Sequence, residues 1–314
     1  MIGPDLVDVL APDIPPQRVQ RNAALAPFTT FKAGGPADWL VHAHGAAEIK
    51  AALRAARAAG LPVTVLGGGS NVLVADAGIR GMVLRVHGGE ARAIDDRRIR
   101  ADGGLTINGL VRWTIGRGVA GLEAWAGTPG TVGGAIYGNA HFQGRLIGEL
   151  IESVLVVDLA AEVFERRIAA AGMEFGYDRS RLQRTRELVL SVDFVSGRGE
   201  PAALRRVARA SLAYRKRTQP LEAASAGCIF QNPDAAVDRV PVGIPLSAGA
   251  LVDRAGLKGM REGAARVSPT HGNFIVNDGG AAAADIRRLI ERCRREVRER
   301  FGVELRDEIV YLGF

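Results

Sequence analysis

Val65-Leu66-Gly67-Gly68-Gly69-Ser70-Asn71-Val72-Leu73-Val74 is the stretch on which the reading of the fold turns. Apolar residues on both sides read as short strands, and the three glycines between them open backbone angles closed to other residues. With no Cβ atoms in the way, amide N–H groups crowd around an anion and form a nest for phosphate oxygens. Ser70 and Asn71 add two small polar donors beside it. A Rossmann turn requires Gly-x-Gly-x-x-Gly running directly into a helix. Gly67 and Gly69 fit its first half, but Val72 occupies the third glycine's place and Val72-Leu73-Val74 reads as extended. The stretch predicts a phosphate cradle outside the Rossmann class; a ligand-free strand connection is the plain alternative.

Upstream, Ala46 to Gly60 is alanine-rich, with Ile49, Leu53 and Ala56 on one helical face and Gly60 as a stop. Pro62-Val63-Thr64-Val65-Leu66 follows as a strand. Residues 1–19 carry four prolines and little periodicity, and read as a loose leader. Downstream, Leu105, Ile107, Leu110, Val111 and Ile115 predict a helix ended by Gly116 or Gly118. Leu188, Leu190, Val192 and Phe194 alternate at the period of a half-buried strand. The cluster Gly197-Arg198-Gly199-Glu200-Pro201 is the candidate domain boundary. Beyond it a helix from about Ala202 to Arg217 carries Leu204, Val207 and Ser211 on one face. Ile286, Leu289, Ile290, Cys293, Val297 and Phe301 repeat at helical spacing, which makes Cys293 a small core residue. Gly302 stops that helix, and Glu308-Ile309-Val310-Tyr311-Leu312 reads as the last strand.

At 314 residues the chain suggests two domains, and 47% hydrophobic with 24% charged residues is ordinary for a globular protein. No apolar run approaches the roughly 20 residues of a membrane span, and Met1-Ile2-Gly3-Pro4-Asp5 has no signal-peptide character; a cytoplasmic, membrane-free protein is expected. Cys228 and Cys293 are the only cysteines, so no disulfide framework and no metal site are expected. His42, His44, His87, His141 and His271 are scattered. The net charge of +7 invites a nucleic-acid reading. However, the arginines lie beside acids in helices, as in Arg287-Arg288 and Glu291-Arg292, and no basic stripe is interleaved with aromatics. No nucleic-acid partner is expected.

A second glycine-rich run, Gly127-Thr128-Pro129-Gly130-Thr131-Val132-Gly133-Gly134-Ala135, again lets backbone approach a ligand. A large cofactor could lie with its pyrophosphate on the first loop and its length along the second. Ser225-Ala226-Gly227-Cys228-Ile229-Phe230-Gln231-Asn232-Pro233 sets one thiol among small residues, ahead of polar groups that end a strand. A free cysteine is usually a buried hydrophobe; a thiol with a pKa near 8.5 is also mostly protonated at neutral pH and can give a proton to a carbanion. Glu308 is a carboxylate in an otherwise apolar terminal strand, which alternation also allows on a solvent face. His271, between Pro269-Thr270 and Gly272-Asn273, reads as a turn histidine with a structural hydrogen bond, and Asn139 as a turn residue.

Together these segments resemble the UDP-N-acetylenolpyruvoylglucosamine reductase family. The likeness is carried by Ala26-Pro27-Phe28-Thr29-Thr30-Phe31-Lys32-Ala33-Gly34-Gly35-Pro36-Ala37, the Gly67–Asn71 loop, Gly127–Ala135 with Asn139-Ala140, and Ser225 through Pro233. Ala255-Gly256-Leu257-Lys258-Gly259, His271 with Phe274-Ile275-Val276-Asn277, and Gly302 through Glu308 complete it in order. Any one segment is only suggestive, whereas seven in the right order are specific. The resemblance covers residues 25 to 312 and points to the compact type II subtype.

It implies an α+β fold: a two-part FAD-binding module of the vanillyl-alcohol-oxidase type over 20–198, with parts at about 20–85 and 86–198, then a substrate domain over 199–314. The last strand could return to the first part. It implies FAD, NADPH as reductant, a UDP-sugar substrate, UDP-N-acetylmuramate as product, and a monomer. Hydride would pass from flavin N5 to the terminal alkene carbon. Cys228 would supply the proton to its neighbour, with Glu308 and Arg179 stabilising the enediolate. The cofactor would be held by Leu66, Gly67, Gly68, Gly69, Ser70, Asn71, Thr128, Pro129, Thr131, Gly133, Gly134 and Asn139. Arg215, Gln231, Asn232 and His271 would meet the substrate, Arg215 near its diphosphate.

Several positions depart from the family pattern. Serine is usual at 228, lysine at 231 and arginine at 310. The family's Tyr-Arg-x-Ser is here Tyr177-Asp178-Arg179-Ser180, its arginine one place late. In a strand one place reverses the side chain, so Arg179 would need a bulge, with Arg181 in reserve. The competing readings are a small-molecule oxidase on the same flavin fold and a basic nucleic-acid-binding module.

Overall fold

The computed structural model describes residues 5–159 and 164–314. They form two compact units that interleave along the chain. One holds the residues through Ala23, Asp38–Gly68 and Arg80–Ala213; the other holds Ala24–Ala37, Gly69–Ile79 and Tyr214–Phe314. A single cut near residue 198 therefore does not separate them.

In the first unit a four-stranded sheet runs in the order Val19–Ala24, Pro36–Ala43, Ile79–Val86, Val63–Leu66, the last two strands parallel. Helix α2 (Gly45–Ala58) packs Ile49, Ala52, Leu53 and Ala56 into the core behind it and ends before Gly60, whose φ is +64°. The expectation of a loose leader is corrected here for the described residues. Asp5 caps α1 (Leu6–Leu10), its Oδ1 accepting from Val7 N at 3.1 Å. Leu6, Leu10, Ile14 and Val19 are buried in the same core as α2. Four apolar residues spaced four to five apart are enough to pin a proline-rich segment, because proline limits the unfolded chain as well as the folded one.

A second, antiparallel sheet of the same unit runs Glu165–Ala169, Ile151–Asp158, Glu187–Val195, Arg98–Asp102, Ala91–Ala93. Its strand Glu187–Val195 is not half-buried as predicted. Leu188 and Leu190 face one core while Val189, Val192 and Phe194 face another, so every residue from Leu188 to Phe194 is buried. The predicted stripe is split by a register shift against Ile151–Asp158, which sends Leu188 and Leu190 to one core and Val192 and Phe194 to the other, and both faces are covered. Helices α3 (Ile107–Gly116) and α4 (Val132–Tyr137) lie in the second of these cores.

The division between units passes through α5 (Pro201–Thr218). Leu204 and Ser211 are buried as predicted, whereas Val207 stands 42% exposed at the edge of the stripe. In the second unit, α6 (Ala248–Arg254) and α7 (Ala283–Phe301) enclose a core with a three-stranded antiparallel sheet, Arg261–Glu262, Ala265–Val267 and Ile275–Asn277. Cys293 is in that core, where burial pushes its thiol up to about 12. Gly302 ends α7 in the left-handed conformation. The last strand is Val310–Leu312, shorter than predicted, and pairs in parallel with Val72–Val74. Among the described residues no helix is long and apolar enough to cross a membrane.

Candidate functional site

The glycine-rich loop follows the strand Val63–Leu66. Among the described residues none of its five successive amides, Gly67 through Asn71, donates to a protein acceptor. Gly69 is buried, Gly67, Ser70 and Asn71 are half-buried and Gly68 is exposed. Covered amides left in that state call for a partner from outside the chain, and five in a row make a nest for anionic oxygens. The glycines serve here by what they lack more than by their angles: only Gly69 has positive φ, at +63°. A Cβ on Gly68 would stand 2.6 Å from Gly130 Cα, and one on Gly67 2.6 Å from Thr131 Oγ1. The two glycine-rich loops thus touch.

The second loop is held from α3. Asn108 Oδ1 accepts from Gly127 N at 2.8 Å and its Nδ2 donates to Thr128 O at 3.2 Å, while Ile107 N donates to Gly130 O at 3.1 Å. Thr131 is the N-cap of α4, its Oγ1 accepting from Gly134 N at 3.3 Å. Gly133 N donates to Gly103 O at 2.7 Å, with no room for a Cβ there at normal distance. Thr128 and Pro129 sit between these anchors. Asn108 escaped the sequence reading, which took its helix only as an apolar stripe.

Asn139 is fully buried at φ +45°. Its Nδ2 donates to Gly176 O at 2.7 Å and its Oδ1 accepts from Gly148 N at 2.8 Å, so its side chain acts inside the fold. The carbonyl it grips belongs to the turn that carries Arg179. Gly176 and Arg179 exchange backbone hydrogen bonds of 2.9 and 3.1 Å across Tyr177 and Asp178, the latter at φ +50°. The expected strand bulge is therefore a two-residue turn. His141 pairs with Asp178 at 2.9 Å, and Ser180 Oγ donates to Tyr137 O at 2.8 Å. The Arg179 side chain is exposed and, among the described residues, forms no ion pair. Arg181 is engaged: Nε meets Glu187 Oε2 at 3.0 Å and Nη1 donates to Gly172 O.

In the second unit, Cys228 is partly exposed, just after Gly227 at φ +82°. No strand forms there; the segment makes one bridge, Phe230 to Asp307. Glu308 N donates to Ile229 O and Gln231 N to Arg306 O, both at 2.8 Å. The thiol-bearing and carboxyl-bearing segments are thus hydrogen-bonded neighbours, although about 80 residues separate them in sequence. Asn71 is tied to the same place: its Nδ2 donates to Glu308 O at 3.0 Å, and its own carbonyl accepts from Val310 N at 2.9 Å.

Arg215, expected near the diphosphate, is 7% exposed and within electrostatic reach of Cys228. Burial pushes its guanidinium down to about 10, against an opposing pull from the thiol's charge, so it stays cationic at neutral pH. Asn232 Oδ1 accepts from Ala248 N at 3.1 Å and so anchors the start of α6. Gln231 is half-buried beside it. His271 is the predicted turn histidine, its Nδ1 accepting from Asn273 N at 3.2 Å. Burial, helped by the Lys258 charge, holds its pKa below the usual value, so a neutral ring offers Nε2–H as a donor.

Three histidines scattered in sequence meet in the first unit. His87 Nε2 lies 3.3 Å from His42 Nδ1 and 3.2 Å from His44 Nε2, and Arg85 donates to His42 Nδ1 at 3.2 Å. Burial, reinforced by the Arg85 charge, lowers His42 and His87 to about 4.

A family model described as an FAD binding domain matches residues 37–165, and one described as the C-terminal domain of UDP-N-acetylenolpyruvoylglucosamine reductase matches 219–312. The curated UDP-N-acetylenolpyruvoylglucosamine reductase of Heliobacterium modesticaldum is 41% identical over 288 residues, covering 91% of this chain and 88% of its own length. That of Synechococcus sp. strain WH7803 is 40% identical over 300 residues, 94% of each chain. The crystal structure of the Thermus caldophilus UDP-N-acetylenolpyruvylglucosamine reductase superposes with a TM-score of 0.75 at 33% identity, covering 94% of this chain and 99% of that one. The expected α+β architecture with an FAD-binding module is borne out.

Proposed function

Because the chain belongs to the UDP-N-acetylenolpyruvoylglucosamine reductase family, we propose that it reduces the enolpyruvyl ether of UDP-N-acetylglucosamine to UDP-N-acetylmuramate, a step of peptidoglycan precursor synthesis. FAD held on the glycine-rich loops would supply the hydride chemistry, with NADPH as reductant and the terminal alkene carbon as hydride acceptor. The cytosol, where NADPH and nucleotide sugars are found, is the proposed setting.

The chain's own residues do the rest. The amides from Gly67 to Asn71 bind the cofactor's diphosphate, and the bare glycines let the second loop close against the first and support it. Adding hydride to the alkene builds negative charge that spreads into the substrate carboxylate as an enediolate. Such charge is stabilised by fixed donors and cations. We assign Glu308, acting as a neutral acid, and Arg179 to that charge. Cys228 gives its proton to the adjacent carbon, and the cationic Arg215 beside it favours the thiolate left behind. His271, through Nε2–H, and Gln231 are assigned to the substrate. Of the two candidate arginines, Arg179 is favoured because Arg181 is committed to Glu187.

The observation that carries the assignment is the hydrogen bond from Glu308 N to Ile229 O, one residue from the thiol, at 2.8 Å. The test is spectral. Under anaerobic conditions NADPH should bleach the bound flavin, and the enolpyruvyl nucleotide should restore its colour. Restoration by molecular oxygen alone would overturn the proposal in favour of an oxidase.

A further inference from the structure

The segment that carries the proton donor is fixed on one side and free on the other. Upstream, Gly227 sits at φ +82° with open space where its Cβ would be. Downstream, Asn273, only 3% exposed, grips the chain three times. Its carbonyl accepts from Ile229 N at 2.9 Å, its Oδ1 accepts from Phe230 N at 2.9 Å, and its Nδ2 donates to Phe230 O at 2.7 Å. Along the other edge, Glu308 N donates to Ile229 O and Gln231 N to Arg306 O. One carboxamide thus stands in for a missing strand neighbour, satisfying both polar groups of Phe230 with the same donor and acceptor pair that a backbone amide offers. Asn273 is itself oriented by His271 Nδ1, and the His271 ring is seated on Gly249, where a Cβ would approach Cε1 to 3.0 Å.

We propose that Asn273 is a positioning residue for proton transfer: through the backbone of Ile229 and Phe230 it sets the direction in which Cys228 presents its thiol to the alkene carbon. This rests on Cys228 being the proton donor. Asn273 touches no reacting atom; it removes the freedom that Gly227 would otherwise give the thiol. Displacing a reacting group by about 1 Å costs on the order of 100-fold in rate, so the clamp should be visible in one half-reaction only.

The experiment is anaerobic stopped-flow on the FAD-loaded protein, with C228A, N273D, N273A and G249A compared against N277A. Asn277 is also a buried amide, bonded to Phe31 O and to the amides of Gly279 and Ala281, and serves as the control for general destabilisation. Asn273→Asp keeps the acceptor for Phe230 N and loses the donor to Phe230 O; Gly249→Ala presses on the His271 ring and sets a methyl 3.6 Å from Asn273 Cβ while leaving the clamp's own donor and acceptor in place. Flavin reduction by NADPH should stay within about threefold in all of them. Reoxidation by the enolpyruvyl nucleotide should fall about 10- to 100-fold in N273D and N273A, less in G249A, and stay near wild type in N277A. The rate of Cys228 alkylation by iodoacetamide should change in the Asn273 variants and not in N277A. Equal loss in both half-reactions, or the same loss in N277A, would overturn the positioning role. If N273D and N273A yield no folded protein, unchanged reoxidation and alkylation in G249A would overturn it. If C228A reoxidises normally, the proton-donor reading fails first, whatever the Asn273 variants do.

Discussion

Cys228 is the residue whose chemistry the proposal exposes most directly. Replacing it with alanine removes only the proton source, so flavin reduction by NADPH should be nearly unchanged while reoxidation by substrate slows by about 10²- to 10⁴-fold, the usual worth of a positioned acid. Cys228→Ser should keep appreciable activity. Equal damage to both half-reactions would count against the assignment. The two arginines separate by a different measurement. Arg179→Gln should depress reoxidation and leave the urea midpoint in place, because the side chain is exposed and forms no ion pair among the described residues. Arg181→Gln should do the reverse, costing about 1–3 kcal/mol of stability by loosening the buried Glu187 carboxylate. At this scale the sequence singles out Cys228 and Glu308 by residue type, and the structure makes their segments hydrogen-bonded neighbours. It was unreadable at Asn108 and Asn273, whose amides act on backbone groups far along the chain and leave no local pattern. That Arg215 is the buried one was not legible, since nothing in Arg215-Lys216-Arg217 tells which of three cations turns inward.

At the scale of elements, the histidine cluster ties stability to pH. Arg85 can only donate, so His42 Nδ1 is an acceptor and cannot take a proton without breaking that bond. His42 and His87 have pKa values of about 4 in the fold, against the ordinary 6.5 of an unfolded chain. A depressed folded value means that the unfolded chain gains protons first. The stabilisation is therefore whole above pH 6.5 and is lost as pH falls through about 4. After allowance for solvent screening, about 1–2 kcal/mol per imidazole should disappear across that window. Urea midpoints measured between pH 7.5 and 4.5 should fall in wild type and flatten in His87→Asn; parallel curves would show that carboxylates govern the slope instead. Arg18, Arg85, His44 and Glu48 face the same cluster, and the bidentate Arg18–Glu48 pair at 2.8 Å leaves no spare carboxylate to neutralise new charge. Periodicity revealed the elements themselves but not which faces are covered. Leu188 to Phe194 alternates as if one side met water, and only the second core shows otherwise.

At the scale of the molecule, the boundary at 198/199 reads naturally from Gly197 to Pro201, yet residues 199–314 lack parts that their fold requires. Phe31, Ala33 and Leu73 lie in the core formed with α7, and Phe31 is fully buried. Asp76 caps α7 through Ala283 N at 2.7 Å and Ala284 N at 2.9 Å, and Asn277 donates to Phe31 O at 2.8 Å. The last strand has Val72–Val74 as its partner. Losing Phe31 alone should cost about 3–5 kcal/mol and a helix cap about 1 more, against a total stability of roughly 5–15 kcal/mol for a domain. A fragment of residues 199–314 should therefore be unfolded, with collapsed amide dispersion in its NMR spectrum. A protein in which 24–37 and 69–79 are supplied by the intact chain is folded. A well-dispersed spectrum from the fragment would mean that Phe31 and Asp76 decorate this core without being needed to build it. Sequence patterns are blind to this arrangement because both inserted segments are short and glycine-rich. Their contribution comes from a few buried side chains and caps, which no run of ten residues can announce.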